Sequence, residues 1–174
     1  CMSVSFKILL VLLIGGSMAV MLWQYQSPAT PDEEPVVEPV VMTPRSYFEP
    51  LVPWTLGETG LFASLATTDT DRSLGLSYTS ALPADVVKVF VFTTDERWSF
   101  WMKGMEYPID IVWVTATGTI AHIETNVSPA TYPKSFTPST PARYVIETVP
   151  GLFAGQNLKV GDRVDIAAIT LSNQ

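Results

Sequence analysis

Apolar positions fall into two unlike patterns along this chain. From Ile8 to Trp23, ILLVLLIGGSMAVMLW, they run on without a charged residue, and the uncharged interval covers residues 8–31. A helix of about 20 mostly apolar residues crosses the hydrocarbon core of a bilayer, so residues 8–25 are expected to form a transmembrane anchor. Beyond residue 54 the apolar residues come instead in short runs separated by turn residues, which is the pattern of strands. Leu61–Ala66, Val86–Phe92 (alternating around Lys88), Trp98–Lys103, Ile109–Val114, Thr119–Glu124, Ala142–Glu147 and Arg163–Ile169 are the strands this predicts. Thr117-Gly118 marks a hairpin turn between two of them. The stretch Thr67–Leu76 opens with Thr and Asp in capping positions and carries acids in its first turn, which predicts a short helix. Pro150–Gln156 predicts a single helical turn. The expected fold is therefore a β-rich α+β domain: a small mixed or antiparallel sheet, or a partly closed barrel, with one or two short helices and an N-terminal transmembrane helix.

Charge and proline usage divide the rest. Residues 1–7 hold one basic side chain, Lys7, whereas Asp32, Glu33, Glu34 and Glu38 follow the apolar span with no base before Arg45. The positive-inside rule then places the N-terminus in the cytoplasm and the domain outside, with Trp23 and Tyr25 at the outer interface. A cleaved leader, cut near Ser17-Met18-Ala19, is the alternative and would give a secreted protein. Apolar Val20-Met21-Leu22-Trp23 beyond that site favours retention. Residues 26–53 hold Pro28, Pro31, Pro35, Pro39, Pro44, Pro50 and Pro53 among acids and valines. Proline fixes its own φ and pushes its predecessor to extended conformations, so this segment is expected to be a stretched stalk. Residues 54–174 are left as the globular domain.

The most distinctive dozen residues are Ser99–Asp110, SFWMKGMEYPID. In an extended strand Trp98, Phe100 and Met102 share one face and Ser99, Trp101 and Lys103 the other. In the next strand Ile109, Ile111 and Trp113 oppose Asp110, Val112 and Val114. Both faces are largely apolar, as in a sheet covered on both sides. Lys103 and Asp110 are charges lodged in such runs, and buried charges need partners. One reading is an ion-paired or backbone-bonded polar cluster with Arg72, Arg143 and Glu147 as members. The other is a binding cleft in which Trp101 stacks a ligand, Lys103 and Arg143 meet an anion or hydroxyls, and Asp110 orients them.

These pieces also carry a resemblance. Ser99-Phe-Trp-Met-Lys103 followed by Pro108-Ile109-Asp110 resembles the signature of domain-of-unknown-function family 192, also called uncharacterised protein family 0127. Asp71-Arg72 with Gly75-Leu76, then Leu82-Pro83, Phe90-Val-Phe92, Gly118, Pro141–Glu147, Gly151 and Val160-Gly-Asp162 fall in that family's order. Together they span about residues 60–168. The chain departs from the family pattern at Gly104-Met105, where Asn-Thr is usual, at Val87-Lys88-Val89, where Gly-Met-Leu is common, and at Ser77, where Met is usual. The resemblance implies a compact β-rich fold, often secreted or membrane-attached, and no established activity.

Most enzyme templates fail on composition. The one cysteine is Cys1, so the domain has no disulfide, thiolate metal site or catalytic thiol. The single histidine, His122, builds no metal cluster, and no motif for a cofactor or phosphate loop is present. A net charge of -7 argues against nucleic acid as a partner. The expected function is a membrane-anchored, extracytoplasmic binding module for an envelope glycan or a partner protein, with Trp101, Lys103, Asp110, Arg143, Arg72 and Glu147 as its binding residues. The alternatives are a hydrolase or transferase of envelope polymers using Asp110 and Glu147 as paired carboxylates, and a structural head that assembles with other membrane proteins.

Overall fold

A computed structural model describes residues 44–171 of the chain. The expected anchor over 8–25 and residues 26–43 of the expected stalk lie outside the described residues. After a 3-10 turn at Pro44–Phe48 come β1 (Leu51–Leu56), β2 (Thr59–Ala66), helix α1 (Asp69–Leu74), β3 (Val86–Glu96), β4 (Phe100–Trp101), β5 (Ile109–Val114) and β6 (Ile120–Val127). Then follow β7 (Ser135–Phe136), β8 (Ala142–Thr148), α2 (Leu152–Gly155) and α3 (Ala167–Leu171). The main sheet has six strands in the order β1-β2-β3-β8-β5-β6. Its β2–β3 pair is parallel, joined through α1, and its other pairs are antiparallel. Of the arrangements left open by the sequence, the strand order gives the mixed sheet. β1 and β6 end the ladder.

Side chains alternate across this sheet and build a hydrophobic core on each face. Val87, Val89, Val112, Val114, Tyr144 and Ile146 point to one face, where Trp54, Phe153, Val164 and Ile169 cover them. Val86, Phe90, Ile109, Ile111, Trp113 and Val145 point to the other, beneath Phe48, Leu76, Leu82, Met102 and Phe136. Every residue of β5 is buried as a result, which is why its sequence is apolar on both faces. Burying each such side chain contributes about 1.5–3 kcal/mol. The hairpin between β5 and β6 turns at Gly118, whose φ of 83° suits glycine, and a Cβ there would lie 2.5 Å from the Val164 carbonyl oxygen.

Three expectations are corrected. Trp98–Lys103 is not a continuous strand: only Phe100–Trp101 pairs, with Ser135–Phe136, in a separate two-stranded ribbon. Side chains anchor this segment in place of a ladder. The Trp98 indole donates to the Ala142 carbonyl at 3.0 Å and the Trp113 indole donates to the Trp98 carbonyl at 2.8 Å. Arg163–Ile169 is not a strand either. It makes one isolated bridge, Arg163 with Thr119, and then Asp165 accepts from the Ala167 N–H at 2.8 Å and starts α3. Finally, residues 44–53, assigned to the stalk on their prolines, fold onto the sheet. Phe48 is buried, Arg45 pairs with Asp85 at 2.6 Å, and β1 runs through Pro53. β1 is an edge strand, and an edge position tolerates a residue without an N–H.

Candidate functional site

Helix α1 forms because Thr68 and Asp71 cap it reciprocally. The Thr68 hydroxyl accepts from the Asp71 N–H at 3.1 Å, and the Thr68 N–H donates to the Asp71 carboxylate at 3.3 Å. The chain then turns sharply at Gly75, φ 53°, directly over the Phe90 ring, where an added Cβ would stand 3.1 Å from ring carbon Cζ. This places α1 and Gly75–Ser77 along one wall of a cleft. Trp98–Trp101 and Met105 form the opposite wall, and Phe90, Phe92 and Glu147 lie at the base. The enclosed volume is about 430 Å³.

Aromatic packing gives this cleft its walls. Phe92 and Trp98 stack with ring centroids 3.8 Å apart, and Phe90 meets Phe100 edge-on at 4.7 Å. Trp101 is 52 % exposed at the rim, in contact with the Tyr132 ring at 5.9 Å and with the Lys103 ammonium at 5.6 Å from its centroid. Arg72 lies over Phe92 at 5.4 Å and is held by Asp69 and by the carbonyls of Thr67 and Val91.

Glu147 is the unusual group. It is 5 % exposed, and its Oε2 has no hydrogen-bond partner among the described residues. Burial pushes its carboxyl up to about 8, opposed by the positive charge of Lys88. The sheet register explains their proximity: Ser64, Lys88, Glu147 and Ile111 form one row across β2, β3, β8 and β5. The Lys88 ammonium donates to Ser64 at 3.1 Å instead of pairing with Glu147. Burial moves the Lys88 amine below its ordinary value, against the fields of Asp71 and Glu147. Among the described residues the ion pairs are Arg45–Asp85, Arg72–Asp69, His122–Glu124 and Arg143–Asp95, so Glu147 has no cation at contact distance.

The six residues singled out from sequence thus divide. Arg72, Trp101 and Glu147 line the cleft. Lys103 is exposed beside Trp101 but outside the lining. Arg143 is taken by Asp95, Nε to Oδ1 at 2.6 Å. Asp110 is a backbone clasp: its oxygens accept from the Asn126 and Gly151 N–H groups, each at 2.7 Å. Asp110 pairs with Thr148 and Glu147 with Ile111 in the ladder, so the two carboxylates point to opposite faces of the sheet. They cannot flank one scissile bond. Lys88, Ser64, Trp98, Phe92 and Phe100 were missed as site residues. Lys88 was findable, since it interrupts an apolar strand just as Asp110 does. His122 bonds Glu124 at 3.0 Å and packs on Trp113. Among the described residues no group of three or more His, Cys, Asp or Glu is placed to hold a metal ion.

The fold and the cleft walled by Trp98–Trp101 define a small β-rich domain of a recognised but functionally unassigned class. The chain belongs to the DUF192 family, described as "Uncharacterized ACR, COG1430", whose model matches residues 54–166. Two solved structures share its fold. One is described as a "putative transcription regulator" from Sinorhizobium meliloti 1021, with TM-score 0.58 and 26% identity, covering 66% of this chain and 90% of that one. The other is a protein of unknown function from Novosphingobium aromaticivorans DSM 12444, with TM-score 0.58 and 25% identity, covering 66% of this chain and 83% of that one. No curated protein matches the chain.

Proposed function

We propose that this protein is a membrane-anchored binding module that holds a glycan of the cell envelope in the cleft between α1 and Trp98–Trp101. The observation that carries this reading is the cleft itself. Its volume of about 430 Å³ and its walls, which join aromatic rings to polar side chains, are the usual makings of a small-ligand site. The apolar face of a sugar ring packs on an aromatic face, and Trp101 offers one at the rim. Glu147 supplies a directional polar contact to a hydroxyl. At neutral pH the empty site carries Glu147 mainly as the neutral acid, which donates a hydrogen bond.

Membrane anchorage rests on the uncharged apolar span over residues 8–25, and the outward orientation on Lys7 against the acids that follow. Hydrolysis through Asp110 and Glu147 is disfavoured by their opposite directions. Retention of the full-length chain, in detergent micelles, on immobilised peptidoglycan fragments and soluble envelope glycans tests the reading. The parent is expected to be retained, and Trp101→Ala to bind at least about tenfold more weakly. Equal retention of both proteins removes Trp101 from the site. Protease accessibility of the domain on intact cells, against lysed ones, tests the orientation.

A further inference from the structure

The cleft has a chemical asymmetry that a neutral sugar leaves unanswered. Its base presents a carboxyl group, more than nine-tenths buried, with one oxygen lacking a hydrogen-bond partner among the described residues. Its lining includes the rings of Phe92, Trp98, Phe100 and Trp101, of which Phe92 has Arg72 over it and Trp101 has Lys103. Ring faces carry negative electrostatic potential and attract ammonium groups, more so once water is excluded. The Glu147 carboxyl and the rings of Trp98 and Phe100 therefore favour the same thing, a positive charge, and among the described residues no ion pair brings one to Glu147.

Arg72 in the lining and Lys88 in the same row as Glu147 are both engaged elsewhere. Arg72 is bound to Asp69 and to two backbone carbonyls. Lys88 donates to Ser64 and opens on a different cavity, of about 380 Å³, on the far side of Leu74–Ser77. Asp71 and Tyr107 complete the titratable groups whose fields couple to this row.

We propose that the ligand is an amino sugar with a free, unacetylated amine, seated as an ammonium among the cleft's ring faces against the Glu147 carboxylate. This rests on the glycan reading above. It names the chemical group that the glycan must carry. In the empty protein burial keeps Glu147 protonated at mildly acidic pH. An arriving ammonium favours the carboxylate, so that proton leaves to solvent as the ion pair forms, and charge balances with no other reactant.

Calorimetry of the full-length chain in detergent micelles at pH 6 tests this, with β-1,4-linked glucosamine tetramer, its fully N-acetylated counterpart and tetramethylammonium as probes. The free-amine oligomer is expected to bind at least about tenfold more tightly than the acetylated one, since one charge contact worth about 1.4 kcal/mol gives that ratio. Its enthalpy should vary with the ionisation enthalpy of the buffer, reporting release of close to one proton. Glu147→Gln should lose both the preference and the proton release while still binding the acetylated oligomer. Equal binding of the two oligomers, or no proton release by the parent, overturns the amine assignment and leaves the glycan reading standing. Binding of tetramethylammonium alone keeps the ammonium site and overturns the glycan. Failure of all three probes overturns both. The proton count is read on the parent, so the test survives a Gln variant that does not fold.

Discussion

Two carboxylates from neighbouring strands of one sheet, Asp110 on β5 and Glu147 on β8, meet opposite fates. Both are buried, at 2 % and 5 % exposure. Asp110 points to the face where β6 ends and α2 begins, and each of its oxygens takes a backbone N–H. Glu147 points to the other face, and among the described residues one of its oxygens takes no hydrogen bond. Burial alone therefore says little about whether an acid serves structure or ligand. What decides is whether the fold brings donors to it. A carboxylate with donors is a clasp, and one without is held for something that comes from outside or is kept neutral.

Removing the clasp should have the largest effect. Asp110→Ala removes the acceptor of two backbone N–H groups, each bond to a charged group being worth about 1.5–3 kcal/mol, and the expected loss in urea unfolding is about 4 kcal/mol. Ligand binding by the protein that remains folded should be unchanged. A loss below about 1 kcal/mol would mean that water replaces the carboxylate there, and the contrast with Glu147 would collapse.

Glu147 should act on stability in the opposite sense, and only at certain pH values. Its folded value of about 8 lies above the ordinary 4.5. Between these values the folded state binds a proton that the unfolded chain has released. Stability therefore falls as pH rises across that window and levels off above it. One unit is worth about 1.4 kcal/mol, so even half of the interval costs roughly 2 kcal/mol. Glu147→Gln should flatten the profile, leaving the variant about 2 kcal/mol more stable than the parent at pH 9 and near it at pH 5. The Lys88 amine, lowered by burial, contributes the reverse slope, stability gained with pH in the alkaline range below 10.5. A Gln variant that keeps the parent's fall between pH 5 and 8 would show that another group is responsible.

The sequence already carried much of this, for physical reasons that differ by element. β5 was readable to the residue because its burial on both faces leaves a run that is apolar except for Asp110 between Pro108 and a turn. α1 was readable from its Thr and Asp caps. The segment Trp98–Lys103 misled because its alternation is real. Phe100 and Met102 do point inward and Trp101 outward, yet indole hydrogen bonds hold it where strand pairing was expected. Proline counting misled at β1, since an edge strand accepts Pro53. At the site, Arg72, Trp101 and Glu147 were found from their chemistry. The sorting of Asp110 from Glu147 was hidden, because it depends on which face each strand turns to which loop. That is set by the β5–β8 register and by no local pattern.

Trp101 sharpens the contrast between stability and binding. A side chain 52 % exposed at the rim gives up little folding energy on truncation, about 0.5 kcal/mol or less. Its expected cost falls on the ligand, about tenfold in affinity, or roughly 1.4 kcal/mol. Matched thermal melts and glycan titrations of Trp101→Ala separate the two. A large drop in melting temperature with unchanged affinity would make Trp101 a packing residue shared with Tyr132.

Arg143 should have the smallest effect of the set, and for that reason it is the most exacting control. Its guanidinium pairs with Asp95 at 2.6 Å, with the two side chains 31% and 45% exposed. An ion pair so well hydrated is worth about 0.5 kcal/mol and weakens with salt. Arg143→Ala is expected to shift the urea midpoint barely beyond error and to leave glycan affinity at the parent's value. Loss of binding in this variant would mean that the ligand extends from the cleft along β3 to the Asp95 end. The site would then include the arginine that the structure places outside it.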